Sequence, residues 1–457
     1  MLREALGARS DSPERRLWGD GASLALSDIA GGTGLGGRLG ELAGRNVLLR
    51  TSDQLTAALA LTELDGLAAR MVLCPPDLDE AHLASVIATA RIDAVVSDLA
   101  APDLGSSTPA FFPLTVSLRP RDFEPAEVLA TEWVMFTSGT TGVPKLVVHT
   151  LAGLTGAIRA GAANGAAPVW GTFYDIRRYG GLQILLRALL TGGSMVLSDT
   201  REPVADHLAR LGRLGVTHLS GTPSHWRRAL MTPAIAAISP AVVRLSGEVA
   251  DQAVLDALKA QFPRAAVGHA YASTEAGVGF EVNDGLEGFP AALVEAEDGP
   301  VRMRIVDGAL QLRSTRAAGG YLNAGAPALV GADGFVDSGD MVERRGERYH
   351  FVGRRGGVIN VGGLKVHPEE VEAVINLHPA VRMALVKGRR NPITGAIVVA
   401  DVVLNTPAGE DADQAVLRES ILVACRAALA PFKAPAMVRF VPALAVTAGG
   451  KLERPHA

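Results

Sequence analysis

The stretch TSGTTGVPK, Thr137 to Lys145, crowds four hydroxyl side chains, two glycines, a proline and a lysine into nine residues directly behind the apolar run WVMF. Glycines let a backbone come close to a ligand, consecutive N–H groups form a nest for anions, and Ser138, Thr140 and Thr141 add donors. The same composition also suits a flexible surface turn. A Walker-type loop needs GK followed by Ser or Thr, whereas here Pro144 precedes Lys145 and Leu146 follows it. By itself, then, the loop points to phosphate binding on something other than a P-loop fold.

Other residues able to do chemistry follow in a fixed order: SGE at Ser246–Glu248, YASTE at Tyr271–Glu275, DSGD ending at Asp340, GR at Gly353 and Arg354, VGGLKVHPEEVE from Val361, and TAGGKLER around Lys451. Singly, each has an ordinary explanation: Tyr271 as a core aromatic, Glu275 as a helix-start acid, Asp340 as a turn acid, Lys451 as a surface lysine. In this order, from about Asn46 to the last residues, they resemble the adenylate-forming superfamily of acyl- and aryl-CoA synthetases, luciferase and peptide-synthetase adenylation domains.

That resemblance implies a reaction in which a carboxylate attacks the α-phosphorus of ATP and pyrophosphate leaves, so neutralising charge is the main task. It implies that Thr137, Ser138, Gly139, Thr140, Thr141, Gly142 and Lys145 hold the leaving phosphates, that Gly247 and Glu248 line the adenine pocket, and that Tyr271 presents a ring face to adenine. Thr274 is then a donor to a phosphate oxygen, and Glu275 a ligand of Mg²⁺. Asp340 accepts from the ribose hydroxyls, Arg354 contacts ribose or phosphate, and Lys451 approaches the acyl carboxylate and the α-phosphate. CoA as second substrate is favoured by KVHPEEVE. An acyl carrier protein, an amine acceptor or a degenerate regulatory nucleotide-binding protein are the rival readings.

For the acid pocket the resemblance suggests Tyr174, Arg177, Tyr179, Ala276 and Gly277. Arg177 and Arg178 could instead form a solvent-facing pair. Arg355 and Gly356 fall at the hinge, where relatives often carry Asp or Lys; glycine keeps the freedom to turn but offers no side chain to latch one orientation. Gly362, Gly363 and Lys365 border the implied CoA channel, and Glu369, Glu370 and Glu372 open the next helix, where negative charge is favoured. His149 is read as structural or gating, since an ionised carboxylate needs no general base.

The elements that must position these groups are legible as alternation. NVLLR, QLTAALALTELDGLAAR, MVLC, DEAHLASVIATARI and DAVVSD alternate strand and helix patterns from Asn46 onward, which predicts parallel sheets covered by helices. The fold class is α/β: a large N-terminal body of parallel-sheet subdomains with a small β-rich subdomain over about 281–351, then a small mobile α+β C-terminal domain. The boundary is set at 1–354 and 355–457. LQILLRALL from Leu182 reads as a buried helix interrupted by Arg187.

Composition bounds the function. The 457 residues are 48% hydrophobic and 20% charged, with net charge −4, which gives no reason to expect nucleic acid or an anionic membrane as a partner. Only Cys74 and Cys425 are present, read as reduced core residues of a cytoplasmic protein. The start of the chain lacks an apolar signal-like core, and no apolar run has spanning length. The expected partners are a small carboxylic acid, ATP and CoA, with a homodimer left open.

Overall fold

The computed structural model describes residues 1–7, 15–101, 109–137, 144–159, 167–199, 201–296, 298–392, 394–406, 411–447 and 449–454. Of the glycine-rich loop, Thr137 and Lys145 are therefore described, whereas Ser138, Gly139, Thr140, Thr141 and Gly142 lie outside the described residues.

The first alternating segment builds a seven-stranded sheet. Asn46–Arg50, Arg70–Leu73, Ala94–Ser97 and Glu132–Thr137 run parallel within it. Helix Gln54–Leu64 starts at Asp53, whose carboxylate accepts from the N–H groups of Leu55 and Thr56. All of its residues are buried, Gln54, Thr56, Thr62 and Glu63 among them, which explains why its apolar residues are not confined to one stripe. The parallel order stops at Glu132–Thr137. Strand Lys145–Thr150 returns antiparallel to it, with Lys145 opposite Thr137, so the glycine-rich loop closes a β-hairpin where a P-loop would open a helix.

An eight-stranded sheet lies beside the first. Val169–Thr172, His218–Gly221, Val242–Ser246 and Ala266–Ser273 are parallel neighbours, and Gly277–Val282 folds back antiparallel at the edge. The apolar run at Leu182 forms helix Tyr179–Leu190, whose buried side chains join those of the first sheet in one core. The β-rich stretch becomes a five-stranded antiparallel sheet containing Val336–Arg345 and Arg348–Arg354.

The last hundred residues carry a core of their own, with Val366, Val371, Ile375, Ala400, Val402, Ile421 and Cys425 buried together. A separate core is what defines a domain. The large N-terminal and small C-terminal parts expected from the sequence are thus present, and helix Asp411–Ala428 adds Ile421 and Cys425 to the second core. Among the described residues no helix is long and apolar enough to cross a membrane.

Candidate active site

Strand Ala266–Ser273 delivers the YASTE motif to the edge of the eight-stranded sheet, and the turn into Gly277–Val282 holds Thr274 and Glu275. This turn is fixed from the first sheet. His149, on the strand that leaves the glycine-rich loop, is 1% exposed, and its Nε2 donates to the Thr274 carbonyl at 2.7 Å. Burial lowers its pKa from 6.5 to about 4. The ring is therefore neutral, with its proton on Nε2, and acts as a brace. At the head of the same strand the Lys145 ammonium lies 5.2 Å from the ring centre of Tyr321, and the Glu275 carboxylate adds to the burial that raises the Tyr321 pKa. Lys145 and Glu275 thus both lie near Tyr321, a cation and an anion at one patch. Among the described residues no three His, Cys, Asp or Glu side chains could hold a metal ion by themselves.

Asp340 lies opposite Arg354 on paired strands. Its Oδ1 takes the Arg354 Nε at 3.0 Å and its Oδ2 accepts the Tyr271 hydroxyl at 2.6 Å. Both oxygens are partnered but keep lone pairs for ribose hydroxyls. Tyr271 was expected to show a ring face to adenine. Its ring stacks on Phe280 and Phe351, with centroids 5.5 and 5.3 Å away, so the Tyr271 side chain also positions Asp340.

Lys451 stands at the tip of a short hairpin. Thr447 N–H donates to the Lys451 carbonyl at 2.8 Å, Gly450 N–H to the Thr447 carbonyl at 2.8 Å, and Glu453 N–H to the Ala445 carbonyl at 3.0 Å. Two glycines admit this hairpin. Gly247, at φ +88°, lies beneath the lysine, where a Cβ would come within 3.4 Å of Lys451 Cε; at Gly450, φ +72°, a Cβ would overlap the His225 ring at 1.8 Å. The lysine touches water, yet the protein around it lowers its pKa by desolvation; Glu248 and Asp340 oppose that shift, and Arg354 and Arg178 add to it. Behind it, Arg454 is clamped by both oxygens of Glu372 at 2.9 and 2.7 Å. Glu372, expected as a helix-start acid, thereby becomes the anchor of the lysine hairpin, while Glu370 takes Lys433 at 2.7 Å.

Where the acid pocket was expected, a cavity of about 240 Å³ lies under helix Tyr179–Leu190, against the eight-stranded sheet. Tyr174 and Tyr179 line it as expected; Ala272 and Val278 contribute in place of Ala276 and Gly277. Arg177 requires the larger correction. It lies 3% exposed, bonded to both carboxylate oxygens of Asp175 at 2.8 and 2.6 Å, and does not face the cavity. It is neither an acid ligand nor a solvent-facing residue, because a buried guanidinium needs a bidentate partner. Arg178 pairs with Asp77 at the lysine end. The cavity's cations are Arg187 and Arg244, which share Glu281 at 3.0 and 3.4 Å. Nearby, Trp170 Nε1 and Gln183 Oε1 are buried without partners among the described residues. Arg187 had a signal in the sequence, a charge inside an otherwise apolar helix. Arg244 and Glu281 had none, being brought together by sheet order alone.

Where the hinge was expected, Arg355–Gly357 form one 3₁₀ turn. Gly356 carries no latch, but its neighbour does: the Arg355 guanidinium donates to Asp337 at 3.0 Å. Gly362 and Gly363 turn between strands Ile359–Val361 and Leu364–Val366, and with Lys365 they are exposed to solvent while the lysine hairpin occupies the cleft.

Paired strands flanking the glycine-rich loop, a carboxylate shared by Tyr271 and Arg354, a lysine presented from the small C-terminal part and a cavity beneath helix Tyr179–Leu190 fit the arrangement expected of an adenylate-forming enzyme. Residues 51–322 match the family model of AMP-binding enzymes, and residues 370–451 match that of the AMP-binding enzyme C-terminal domain; the chain belongs to this family. Among curated relatives it is 29% identical to a 2-succinylbenzoate–CoA ligase of Salmonella typhimurium over 80% of this chain and 78% of that protein. It is 28% identical to that of Listeria innocua over 81% and 77%. A benzoate CoA ligase from Burkholderia xenovorans shares the fold with a TM-score of 0.80 at 20% identity, covering 99% of this chain and 97% of that one. The reading these matches support is that of an AMP-forming acid–CoA ligase.

Proposed function

We propose that the protein joins a compact organic acid bearing a second anionic or hydrogen-bond-accepting group to CoA. The acid carboxylate attacks the α-phosphorus of ATP, giving acyl-AMP and pyrophosphate; the CoA thiol then attacks the acyl carbon, loses its proton and expels AMP. Lys451 balances charge as carboxylate and α-phosphate meet, a task suited to an ammonium on a flexible stem. The glycine-rich hairpin and Lys145 hold the β and γ phosphates, with Thr274 a donor to a phosphate oxygen. Gly247 leaves the backbone open beside the nucleotide. A single carboxylate at Glu275 would suit Mg²⁺, which when bound would withdraw charge from the triphosphate. Rotation at Arg355 and Gly356, the boundary of the two domains, takes Lys451 out and brings Gly362, Gly363 and Lys365 toward the thiol path. The free, buried Cys74 and Cys425 accord with a reducing cytoplasm.

One observation carries the choice of acid: two arginines share a single glutamate at the polar end of a small cavity. One cationic charge is left for the substrate, beside the partnerless Trp170 and Gln183 atoms. The volume suits an acid of the 2-succinylbenzoate kind, which carries a carboxyl group beyond the one activated, better than a long acyl chain. Acid-dependent pyrophosphate exchange over matched mono- and dicarboxylates, followed by AMP release with CoA or a phosphopantetheinylated carrier protein, is the test. Dicarboxylates should lead the panel, and free CoA should suffice as acceptor; a preference for fatty acids, or a requirement for the carrier, would refute the reading.

A further inference from the structure

We infer that Glu248 is a positioning residue for Lys451: it is the body-side half of a releasable latch that seats the lysine hairpin during adenylation. The inference rests on the adenylating role given to Lys451 above.

Glu248 belongs to SGE, the segment expected to line the adenine pocket, but its carboxylate is engaged elsewhere. Oε2 accepts the Ser224 N–H at 2.9 Å; Oε1 accepts the Ser224 hydroxyl at 3.0 Å and the Leu452 N–H at 2.8 Å. The first two bonds tie it to the opening turn of helix Pro223–Leu230, where unpaired N–H groups favour a carboxylate. The third crosses from the large domain to the small one. Thr222, the cap of the same helix, makes a second crossing by donating its hydroxyl to the Gly450 carbonyl at 2.7 Å.

The two crossings grip the backbone on either side of Lys451. Neither depends on a side chain of the hairpin, so they fix where the lysine backbone sits and leave its ammonium free to reach the reacting atoms. The hairpin is rigid by its own bonds, and Arg454 fastens it to Glu372 in the small domain. Movement of that domain therefore carries the lysine as a unit. On departure Glu248 loses one bond and retains both bonds to Ser224, so the body's half of the latch stays formed while the hairpin is away.

The test compares Glu248→Ala, Glu248→Gln and Lys451→Ala in the full chain, with thermal melting to establish folding. Readouts are pyrophosphate exchange at varied ATP, and thioester formation from supplied adenylate of the best acid in the panel. Glu248→Ala should lower the adenylation kcat by about 10-fold or more, as loss of a charge-assisted hydrogen bond does. The KM for ATP and the thioester step should stay within roughly 2-fold by the same reasoning, since neither uses the latch. Glu248→Gln keeps one acceptor oxygen for Leu452 and should recover part of the loss; if the alanine variant fails to fold, the glutamine variant carries the test. A Thr222→Val, Glu248→Ala pair should be non-additive, because both grip one hairpin. A higher KM for ATP at unchanged kcat would make Glu248 a nucleotide ligand, and equal losses in both half-reactions would make it merely structural; either overturns the latch. Were Lys451→Ala itself harmless to adenylation, the assignment of Lys451 would fall instead.

Discussion

At the proposed nucleotide end, Lys451, Asp340, Arg354 and Glu248 stand on turns and strand ends, partly in water; Asp340 pairs with Arg354, and Glu248 bonds across the domain boundary to the Leu452 N–H beside the lysine. At the proposed acid end, Arg187, Arg244 and Glu281 line a cavity from a helix and two strands of a single domain. The first arrangement can be taken apart and rebuilt in each cycle. The second is as rigid as the sheet behind it. A reaction in two steps needs this division: the acid must stay fixed while the groups that act on its carboxylate change.

Breaking the movable end should cost most. Lys451→Ala is expected to depress pyrophosphate exchange by about 10²-fold or more, the scale for losing one transition-state charge partner, while thioester formation from supplied acyl-AMP is retained. The same lysine sets an alkaline limit: its pKa lies below 10.5, so adenylation should fall as pH rises through that lowered value, and the thioester step should not follow it.

At the rigid end, Arg187→Met should lower kcat/KM for dicarboxylates by about 10-fold, the effect of removing a charged hydrogen-bond partner, and leave monocarboxylates nearly unchanged. Equal losses for both acids would place the second group elsewhere. Tyr271→Phe is milder, removing one bond to Asp340, and should raise the KM for ATP by about 2- to 10-fold.

The smallest effect on catalysis concerns two buried histidines. His149 and His225 have folded pKa values near 4 and 3, pulled down from 6.5 by burial. Between those values and 6.5 the unfolded chain binds protons that the folded chain refuses. Stability is thus complete above pH 6.5 and falls as pH drops through the window, by up to about 1.4 kcal/mol per pH unit for each ring. His149→Gln should flatten the slope of urea midpoint against pH.

The nucleotide end was legible in the sequence because its residues sit in short runs, where backbone and side chain act together: a glycine-rich hairpin, YASTE, DSGD, the lysine turn. Of the residues lining the cavity, Tyr174 and Tyr179 were legible, and Arg187 left a signal as a charge inside an apolar run. Arg187, Arg244 and Glu281 come from three elements whose adjacency depends on strand order, which no local pattern encodes, and Arg177 was drawn toward the pocket by its proximity in sequence alone. The partners of Glu248 and Glu372 were equally hidden, since they lie 204 and 82 residues away. Alternation did reveal the parallel sheets and the separate last domain; it did not reveal that the glycine-rich loop returns as a strand.

Asp340 pairs with Arg354, and Asp337 on the same strand pairs with Arg355, so two carboxylates of one strand hold the two arginines that lead out of the large domain. Both guanidinium groups are more than half exposed. The junction is therefore moored to the sheet by charge and not by packing.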